Sequence, residues 1–176
     1  MDEAKTAGHD YVVFRWIEEK DRTPEGYARV IETLNRAGEV AHRTGLVLAY
    51  HNHTFEFTPL PDGTRPYDLF LERTDPQLVR MEMDVYWLLE GGLRPQDYFA
   101  RWPGRFPLLH LKDKDAAGHM TDVGSGVLDW GAILGARRQA GVTHVFAEHD
   151  EPADPWASIA NSYRYLSQLS FKDLKA

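Results

Sequence analysis

Short apolar runs alternate with helix-like segments along the whole chain, and this alternation limits the possible folds more than any other feature. The runs begin near residues 11, 46, 79, 107 and 143, so a strand and its helix together take about 30 to 35 residues, as in parallel α/β folds. The runs lack a strict alternation of apolar and polar residues, which is typical of parallel strands buried on both faces. The pattern predicts an α/β domain with five parallel strands, the first of which covers residues 10–16.

Helix signals separate the predicted strands. Thr23, Pro24 and Glu25 provide an N-cap, a proline at the first helical position and an acid in the first turn. The helix that they start is predicted to end near Arg43, because Gly45 follows where a residue with a left-handed backbone commonly closes a helix. Further helices are predicted over residues 67–73, 95–102, 129–140 and 155–169.

Two architectures agree with five strands. One is a doubly wound sheet, and the other is five of the eight units that form a TIM (β/α)8 barrel of about 250 residues. Residues 2–10 read as the last turn of a helix that has Gly8 at its C-cap and no N-terminal capping signal. This start favours an incomplete barrel whose first three units are missing, with one domain over residues 1–176.

The composition favours a globular domain that acts on small molecules. The chain has 176 residues, of which 43% are hydrophobic, and it contains no cysteine, which excludes thiolate metal sites and a cysteine nucleophile. Its formal charge of -7 without a basic cluster argues against nucleic-acid partners. The chain has neither an apolar stretch of the ~20 residues that span a bilayer nor a signal-peptide pattern. We therefore expect a cytoplasmic protein without membrane partners.

Four of the apolar runs end on a residue that can bind a divalent metal. Because the carboxyl ends of parallel strands meet at one rim, these residues are expected to lie around a single ion. Two imidazoles and two carboxylates suit manganese, iron, cobalt or zinc better than calcium. The four predicted ligands are His51 after LVLAY, Asp84 after VRMEM, His110 after PLL, and Glu148 after HVFA.

Two of these assignments have alternatives. An acid after a strand is often a helix N-cap, but the apolar residues 85–87 give no sign of a helix start, so ligation is predicted for Asp84. His53 is the alternative ligand to His51, since two residues apart on an extended chain both side chains face the same rim.

Further polar and aromatic residues near the strand ends are candidates for the site. Lys112, two residues after His110, is expected to neutralise developing negative charge, and Asp113 to orient one of these two side chains. His53 and Glu56 are candidates for hydrogen bonds to a substrate, although Glu56 is as consistent with a bridge to a basic neighbour. The aromatic rings of Trp16 and Trp87 are candidates for stacking on a sugar ring, with core packing as the alternative for each.

Five ordered segments carry a family resemblance. They are GLVLAYHNHTFEF, VRMEMDVYW, GRFPLLHLKD, DVGSGVLDW and HVFAEHDEP. In this order and spacing they closely resemble the xylose isomerase-like TIM barrels known as sugar phosphate isomerases/epimerases. The resemblance covers essentially the whole chain, aligned to strands four to eight of that family, and it implies a TIM barrel that is incomplete here.

The resemblance also implies a metal site and its chemistry. The family holds a divalent ion such as Mn, Mg, Co or Zn on ligands in the order Glu, Asp, His, Glu. Asp84, His110 and Glu148 match the second to fourth ligands, whereas His51 stands at the position of the first glutamate. In many members the first and last glutamates also transfer the proton, so this departure changes half of the acid/base pair. A histidine there can bind the ion or transfer a proton.

These observations predict a metal-dependent isomerase or epimerase that acts on a sugar, sugar phosphate or related polyol by proton transfer through an enediolate. Glu148 is predicted as base and ligand, His51 as ligand or second acid/base group, and Lys112 as an electrostatic helper. A keto-sugar lyase or dehydratase on the same metal site is the nearest alternative. A non-catalytic barrel fragment is another, because the exposed first strand would favour assembly with another chain or a second copy.

Overall fold

The structure, a computed structural model, describes residues 1–169 of the chain. Its strands are β1 (Tyr11–Phe14), β2 (Val47–His51), β3 (Val79–Asp84), β4 (Leu108–Leu111), β5 (Asp113–Lys114), β6 (Met120–Thr121) and β7 (His144–Ala147). Its α-helices are α1 (Asp2–Thr6), α2 (Pro24–Arg43), α3 (Pro66–Arg73), α4 (Val85–Glu90), α5 (Pro95–Arg101), α6 (Trp130–Gly135), α7 (Arg137–Ala140) and α8 (Pro155–Gln168). Two 3-10 turns lie at Glu19–Asp21 and Phe55–Phe57. No helix in this described part is long and apolar enough to cross a bilayer.

The main sheet has five parallel strands within residues 1–169, in the order β1-β2-β3-β4-β7. Each strand pairs with the next parallel strand along the chain, without the reversal of strand order that defines a doubly wound sheet. The sheet is therefore wound in one direction and curls into half of a barrel. The five predicted strands are confirmed, whereas the assignment of the chain to strands four to eight stays a prediction.

Burial differs between the middle and the edges of this sheet. The central strands β2, β3 and β4 are almost fully buried, as their apolar sequences predict. The prediction of a buried first strand is wrong, because Val13 and Phe14 are 41% and 38% exposed. At the other edge every residue of β7 is exposed. Within residues 1–169 each of these edge strands pairs with a neighbour on one side, which leaves part of its surface uncovered by the described chain.

The helices follow the local sequence signals in most places. The bounds of α2 are confirmed, with the Thr23 side chain accepting a hydrogen bond from the Gly26 nitrogen. Gly8 and Gly45 have the positive φ expected of residues that follow a helix end. The single helix predicted over residues 129–140 is instead two short helices, α6 and α7, that meet at Ala136. Two glycines in α6 lower the helix propensity of that stretch.

The register of the sheet aligns the functional strand ends. His51 lies opposite Glu82 on the neighbouring strand, and Asp84 lies opposite His110. Because side chains on a strand alternate between faces, Glu82 and Asp84 project to the same side of β3. The concave face of the half-barrel therefore carries a cluster of acids and histidines near its carboxyl rim.

Candidate functional site

The structure brings the four predicted ligand residues together. His51 Nε2 lies 3.9 Å from Asp84 Oδ2, and His110 Nδ1 lies 2.6 Å from Glu148 Oε2. One ligand atom each from Asp84, His110 and Glu148 lies within 4.8 Å of the other two. Four residues separated by almost a hundred positions thus meet through the parallel register of β2, β3, β4 and β7.

Asp84 belongs both to the site and to a helix end. The expectation that no helix starts there is wrong, because α4 begins at Val85 and the Asp84 side chain accepts a hydrogen bond from the Trp87 nitrogen. The side chain of Asn52, which the sequence analysis missed, bonds both the nitrogen and the carbonyl oxygen of Asp84. Asn52 thereby locks the end of β2 to the end of β3.

The second carboxylate oxygen of Asp84 suits a cation. Asp84 is fully buried, and its Oδ2 has no hydrogen-bond partner. Burial raises the pKa of this carboxyl, opposed by the nearby Lys112 and by the Trp87 N–H. A buried carboxylate oxygen without a partner is costly unless a positive charge compensates it. Together with imidazole nitrogens and the Glu148 carboxylate, this oxygen forms an N/O donor set that fits a divalent transition metal.

His110 lies between two carboxylates. Its Nδ1 contacts Glu148 and its Nε2 lies 2.6 Å from Glu82 Oε1. Burial would lower the pKa of His110, but hydrogen bonds to Glu148 and Glu82 outweigh burial and raise it to about 9. The hydrogen bond from His110, with the charge of Lys112, lowers the pKa of Glu148 to about 2. Glu148 is therefore ionised at neutral pH, as a metal ligand or a base must be.

Glu82 is a member of the cluster that the sequence analysis missed. It is buried, and its Oε1 lies 3.4 Å from His51 Nδ1 as well as 2.6 Å from His110. Burial opposes its ionisation, yet the two histidines hold the pKa of Glu82 at about 2. The sequence signal was its position two residues before Asp84 on the same strand, which places both acids on one face.

Lys112 supplies the main positive charge next to these acids. Its ammonium lies 3.3 Å from Asp84 Oδ2, 3.1 Å from Glu148 Oε2 and 2.8 Å from Asp150 Oδ1. Burial would lower the pKa of Lys112, but these carboxylates raise it above its usual value. Lys112 therefore stays protonated beside the cluster, where it can stabilise negative charge on a substrate oxygen.

The cluster forms one wall of an open cavity of about 350 Å³. His53 and Trp87, both predicted to contact substrate, line this cavity together with Arg15 and Asp150. Burial, followed by the charge of His51, lowers the pKa of His53 to about 4. His53 is therefore a neutral imidazole that can donate or accept a hydrogen bond.

The other two predicted substrate contacts lie outside this cavity. Trp16 packs edge-on against the ring of His53, with ring centroids 4.9 Å apart. Glu56 is fully buried and accepts hydrogen bonds from the Tyr50 hydroxyl at 2.5 Å and from the His53 nitrogen at 2.9 Å. Because both of its oxygens are used within the protein, Glu56 supports the backbone of His53 and does not reach a substrate.

Asp113 organises a loop and does not orient His110 or Lys112. Its buried carboxylate accepts hydrogen bonds from the nitrogens of Gly124 and Leu128 and from the indole N–H of Trp130. The same loop contains the β5–β6 hairpin, and Gly124 has the positive φ expected of a turn residue. The expectation for Asp113 fails because its side chain points towards the loop that follows it.

Known proteins share both the sequence pattern and the fold. The sequence model of the family described as xylose isomerase-like TIM barrel matches residues 1–170. An inosose dehydratase from Geobacillus thermodenitrificans is 28% identical over 161 residues, which covers 81% of this chain and 52% of that protein. The chain thus spans about half the length of this curated relative.

Two solved structures extend the comparison. A sugar phosphate isomerase/epimerase from Parabacteroides distasonis superposes with a TM-score of 0.86 at 28% identity, covering 97% of this chain and 61% of that one. A xylose isomerase-like TIM barrel protein from Mycobacterium smegmatis in complex with magnesium has a TM-score of 0.71 at 17% identity, covering 95% and 63%. The second likeness shows the fold alone. On the match over residues 1–170, the chain belongs to the xylose isomerase-like TIM barrel family.

Proposed function

We propose that this chain carries the active site of a divalent-metal-dependent isomerase or epimerase acting on a sugar, sugar phosphate or related polyol. The observation that carries the proposal is that Asp84, His110 and Glu148 each offer a ligand atom within 4.8 Å of the others, with His51 Nε2 3.9 Å from Asp84 Oδ2. This Asp84 oxygen is buried without a hydrogen bond among the described residues and lies 3.3 Å from the Lys112 ammonium. The likeness to a sugar phosphate isomerase/epimerase supports the substrate class. The reaction would move a proton at a carbon beside a carbonyl group.

His51, Asp84, His110 and Glu148 would hold the metal, which is Mn, Mg, Co or Zn in this proposal. When bound, a divalent ion supplies the Lewis acidity that polarises a carbonyl oxygen and lowers the pKa of the adjacent C–H. Three acids that line the cavity, Glu82, Glu148 and Asp150, favour the entry of a cation, and the buried Asp84 lies next to them.

The protein's own side chains divide the remaining work. Glu148 is ionised and its side chain is 39% exposed, so its carboxylate can reach a substrate C–H and accept the proton. Lys112 stabilises the negative charge that develops on the substrate oxygen. His51 is either a metal ligand or the second acid/base group, because one neutral nitrogen cannot bind the ion and transfer the proton at once. His53 and Trp87 bind hydroxyl groups and the apolar face of the sugar ring.

A dehydratase is the second candidate. The curated relative from Geobacillus thermodenitrificans is named inosose dehydratase. An elimination needs one base for the C–H and one acid for the departing hydroxyl, and these need not be two carboxylates. Glu148 as base and Lys112 as acid would meet this need, since they lie 3.1 Å apart and border the same cavity.

Proton exchange in deuterated water separates the two candidates. The metal-loaded protein is incubated with a panel of aldoses, ketoses and cyclic keto-polyols, and products are followed by mass spectrometry and proton NMR. Deuterium at the carbon beside the carbonyl, with otherwise unchanged composition, supports isomerisation or epimerisation. Loss of one water supports the dehydratase. An enzymatic role for this chain would be refuted if wild type shows no exchange and no conversion with any member of the panel, so that it behaves like Glu148→Gln.

Assembly through the sheet edges is a further proposal. Val13 and Phe14 on β1, and Phe146 on β7, leave apolar surface exposed at both edges of the half-barrel. Such strands favour pairing with another strand. Sedimentation equilibrium tests this: self-association that Val13→Lys abolishes supports pairing through β1, and a stable monomer at all concentrations refutes it.

A further inference from the structure

Glu82 lies beside the proposed ligands His51 and His110 in the wall of the cavity, and it contacts both histidines through one atom. Its Oε1 is 3.4 Å from His51 Nδ1 and 2.6 Å from His110 Nε2. The two imidazole rings meet edge to face, with centroids 4.7 Å apart and planes at 73°. One carboxylate oxygen therefore occupies the angle between the two rings.

The other nitrogen of each ring faces the opposite acids. His51 Nε2 lies 3.9 Å from Asp84 Oδ2, and His110 Nδ1 lies 2.6 Å from Glu148 Oε2. A neutral imidazole carries a proton on only one nitrogen, and the hydrogen bond to that proton decides which nitrogen keeps its lone pair. In the neutral, metal-binding form of each ring, the inner nitrogen carries the proton and donates it to Glu82. The outer nitrogen then keeps its lone pair, on the side of Asp84 and Glu148, where it can bind a metal ion.

We infer that Glu82 is a positioning residue that fixes the tautomer and the ring orientation of both His51 and His110, so that each presents its outer nitrogen to one metal ion. This inference rests on the proposed function, because it presupposes that the four strand-end residues bind a metal. It also explains the histidine at position 51. A metal-binding histidine has a fixed tautomer and ring orientation when its second nitrogen forms a hydrogen bond. Glu82, which lies opposite His51 on the next strand, provides the acceptor for that bond.

Cobalt binding by the apo protein tests this role without any substrate. Wild type, Glu82→Gln, Glu82→Ala and the control Glu90→Gln are stripped with chelator and titrated with Co²⁺, by calorimetry and by visible absorption. Glu90 carries the same charge but pairs with Lys114 away from the cluster. The melting temperature of each apo variant is measured alongside to separate binding from folding.

We expect wild type to bind one Co²⁺ per chain and Glu90→Gln to bind it with the same affinity as wild type. Glu82→Ala should bind about 10- to 100-fold more weakly. Glu82→Gln, which keeps an oxygen acceptor but loses its charge, should bind about fivefold more weakly. Both Glu82 variants should also change the cobalt spectrum, because the ring orientation changes.

Three outcomes would overturn the inference. Affinity and spectrum equal to wild type in Glu82→Gln, even with a lowered melting temperature, would leave Glu82 a purely structural acid. Complete loss of stoichiometric binding in a folded Glu82→Gln would make Glu82 a direct ligand. Absence of Co²⁺ binding by wild type would refute the proposed metal site itself, and the role of Glu82 with it.

Discussion

One oxygen of Asp84 accepts a hydrogen bond from the backbone nitrogen of Trp87 at 3.1 Å, while the other oxygen is buried without a hydrogen-bond partner. The same side chain therefore caps helix α4 with one oxygen and turns the other towards His51 and the Lys112 ammonium. Helix capping and metal binding are not alternatives at this position, because each uses a different oxygen. Two substitutions can separate them.

Asp84→Asn keeps a cap acceptor for Trp87 but loses the charged ligand oxygen, whereas Asp84→Ala loses both. We expect the free energy of unfolding of the Ala variant to lie about 1 kcal/mol below that of the Asn variant in urea melts. Metal analysis should find that neither variant retains a stoichiometric divalent ion. Asp129→Ala is the matched control, since Asp129 caps α6 through the Ala132 nitrogen at 2.9 Å. It should lose stability without losing metal, and full metal retention by Asp84→Asn would contradict the assignment.

The sequence predicted the parts of the fold that local signals encode. The bounds of α2 followed from Thr23 and Pro24, and the strand ends that meet at the rim followed from apolar runs. Helix α4 was missed because its first turn is Val-Tyr-Trp, with no acid to mark it. Its cap is the site residue Asp84 itself.

Other parts of the site depend on contacts that no local pattern encodes. The prediction considered the residue at the end of each strand, so it missed Glu82, which lies two positions before Asp84 on the same face. The role of Asp113 depends on donors 11 to 17 residues later in the chain, brought back by a loop. Exposure of β1 and β7 follows from sheet order, which the apolar composition of a strand does not reveal.

Lys112→Met should lower the stability of the metal-free protein and increase the stabilisation by metal. The ammonium compensates three carboxylates, of which Asp84 is fully buried, so its removal leaves negative charge uncompensated, at a cost of about 3 to 5 kcal/mol. A bound cation replaces that charge. Scanning calorimetry with and without Mn²⁺ should therefore show a larger rise in melting temperature for the variant than for wild type.

Lys114→Met provides the comparison, because Lys114 forms a partly exposed ion pair with Glu90, at 2.7 Å, away from the three carboxylates. Its loss should change the free energy of unfolding by less than about 1 kcal/mol and leave the response to Mn²⁺ unaltered. Equal shifts in melting temperature for Lys112→Met and wild type would show that Lys112 and the metal do not share these carboxylates.

Glu56 should make the metal-free protein less stable as pH rises from 4.5 to 7. Burial raises the pKa of Glu56 from 4.5 to about 7, against the opposing hydrogen bonds from Tyr50 and His53. Between these values the folded chain holds a proton that the unfolded chain has lost, so unfolding becomes easier as pH rises. This contribution is complete below pH 4.5 and gone above 7. Glu56→Gln cannot titrate and should lack it.

Urea melts in chelator across this range measure the difference between the two profiles. We expect the variant to gain up to about 3 kcal/mol relative to wild type between pH 4.5 and pH 8, as a change of roughly 2.5 pKa units implies. Any constant effect of the altered hydrogen bonds cancels in this comparison. Profiles that run parallel over the whole range would show that the pKa of Glu56 is not raised in the folded chain.

Asp113→Asn should loosen the loop that follows β4. The buried carboxylate accepts hydrogen bonds from the nitrogens of Lys114, Gly124 and Leu128 and from the Trp130 indole. An amide cannot satisfy all four donors. We expect a loss of about 3 kcal/mol in the free energy of unfolding, since each unsatisfied buried donor costs about 1 to 3 kcal/mol. Limited proteolysis should cut within residues 115–127 before other sites.

Trp130→Phe removes a single donor and keeps the ring, so it should show a weaker form of the same change. Cleavage patterns indistinguishable from wild type in both variants would mean that the β5–β6 hairpin holds the loop without Asp113.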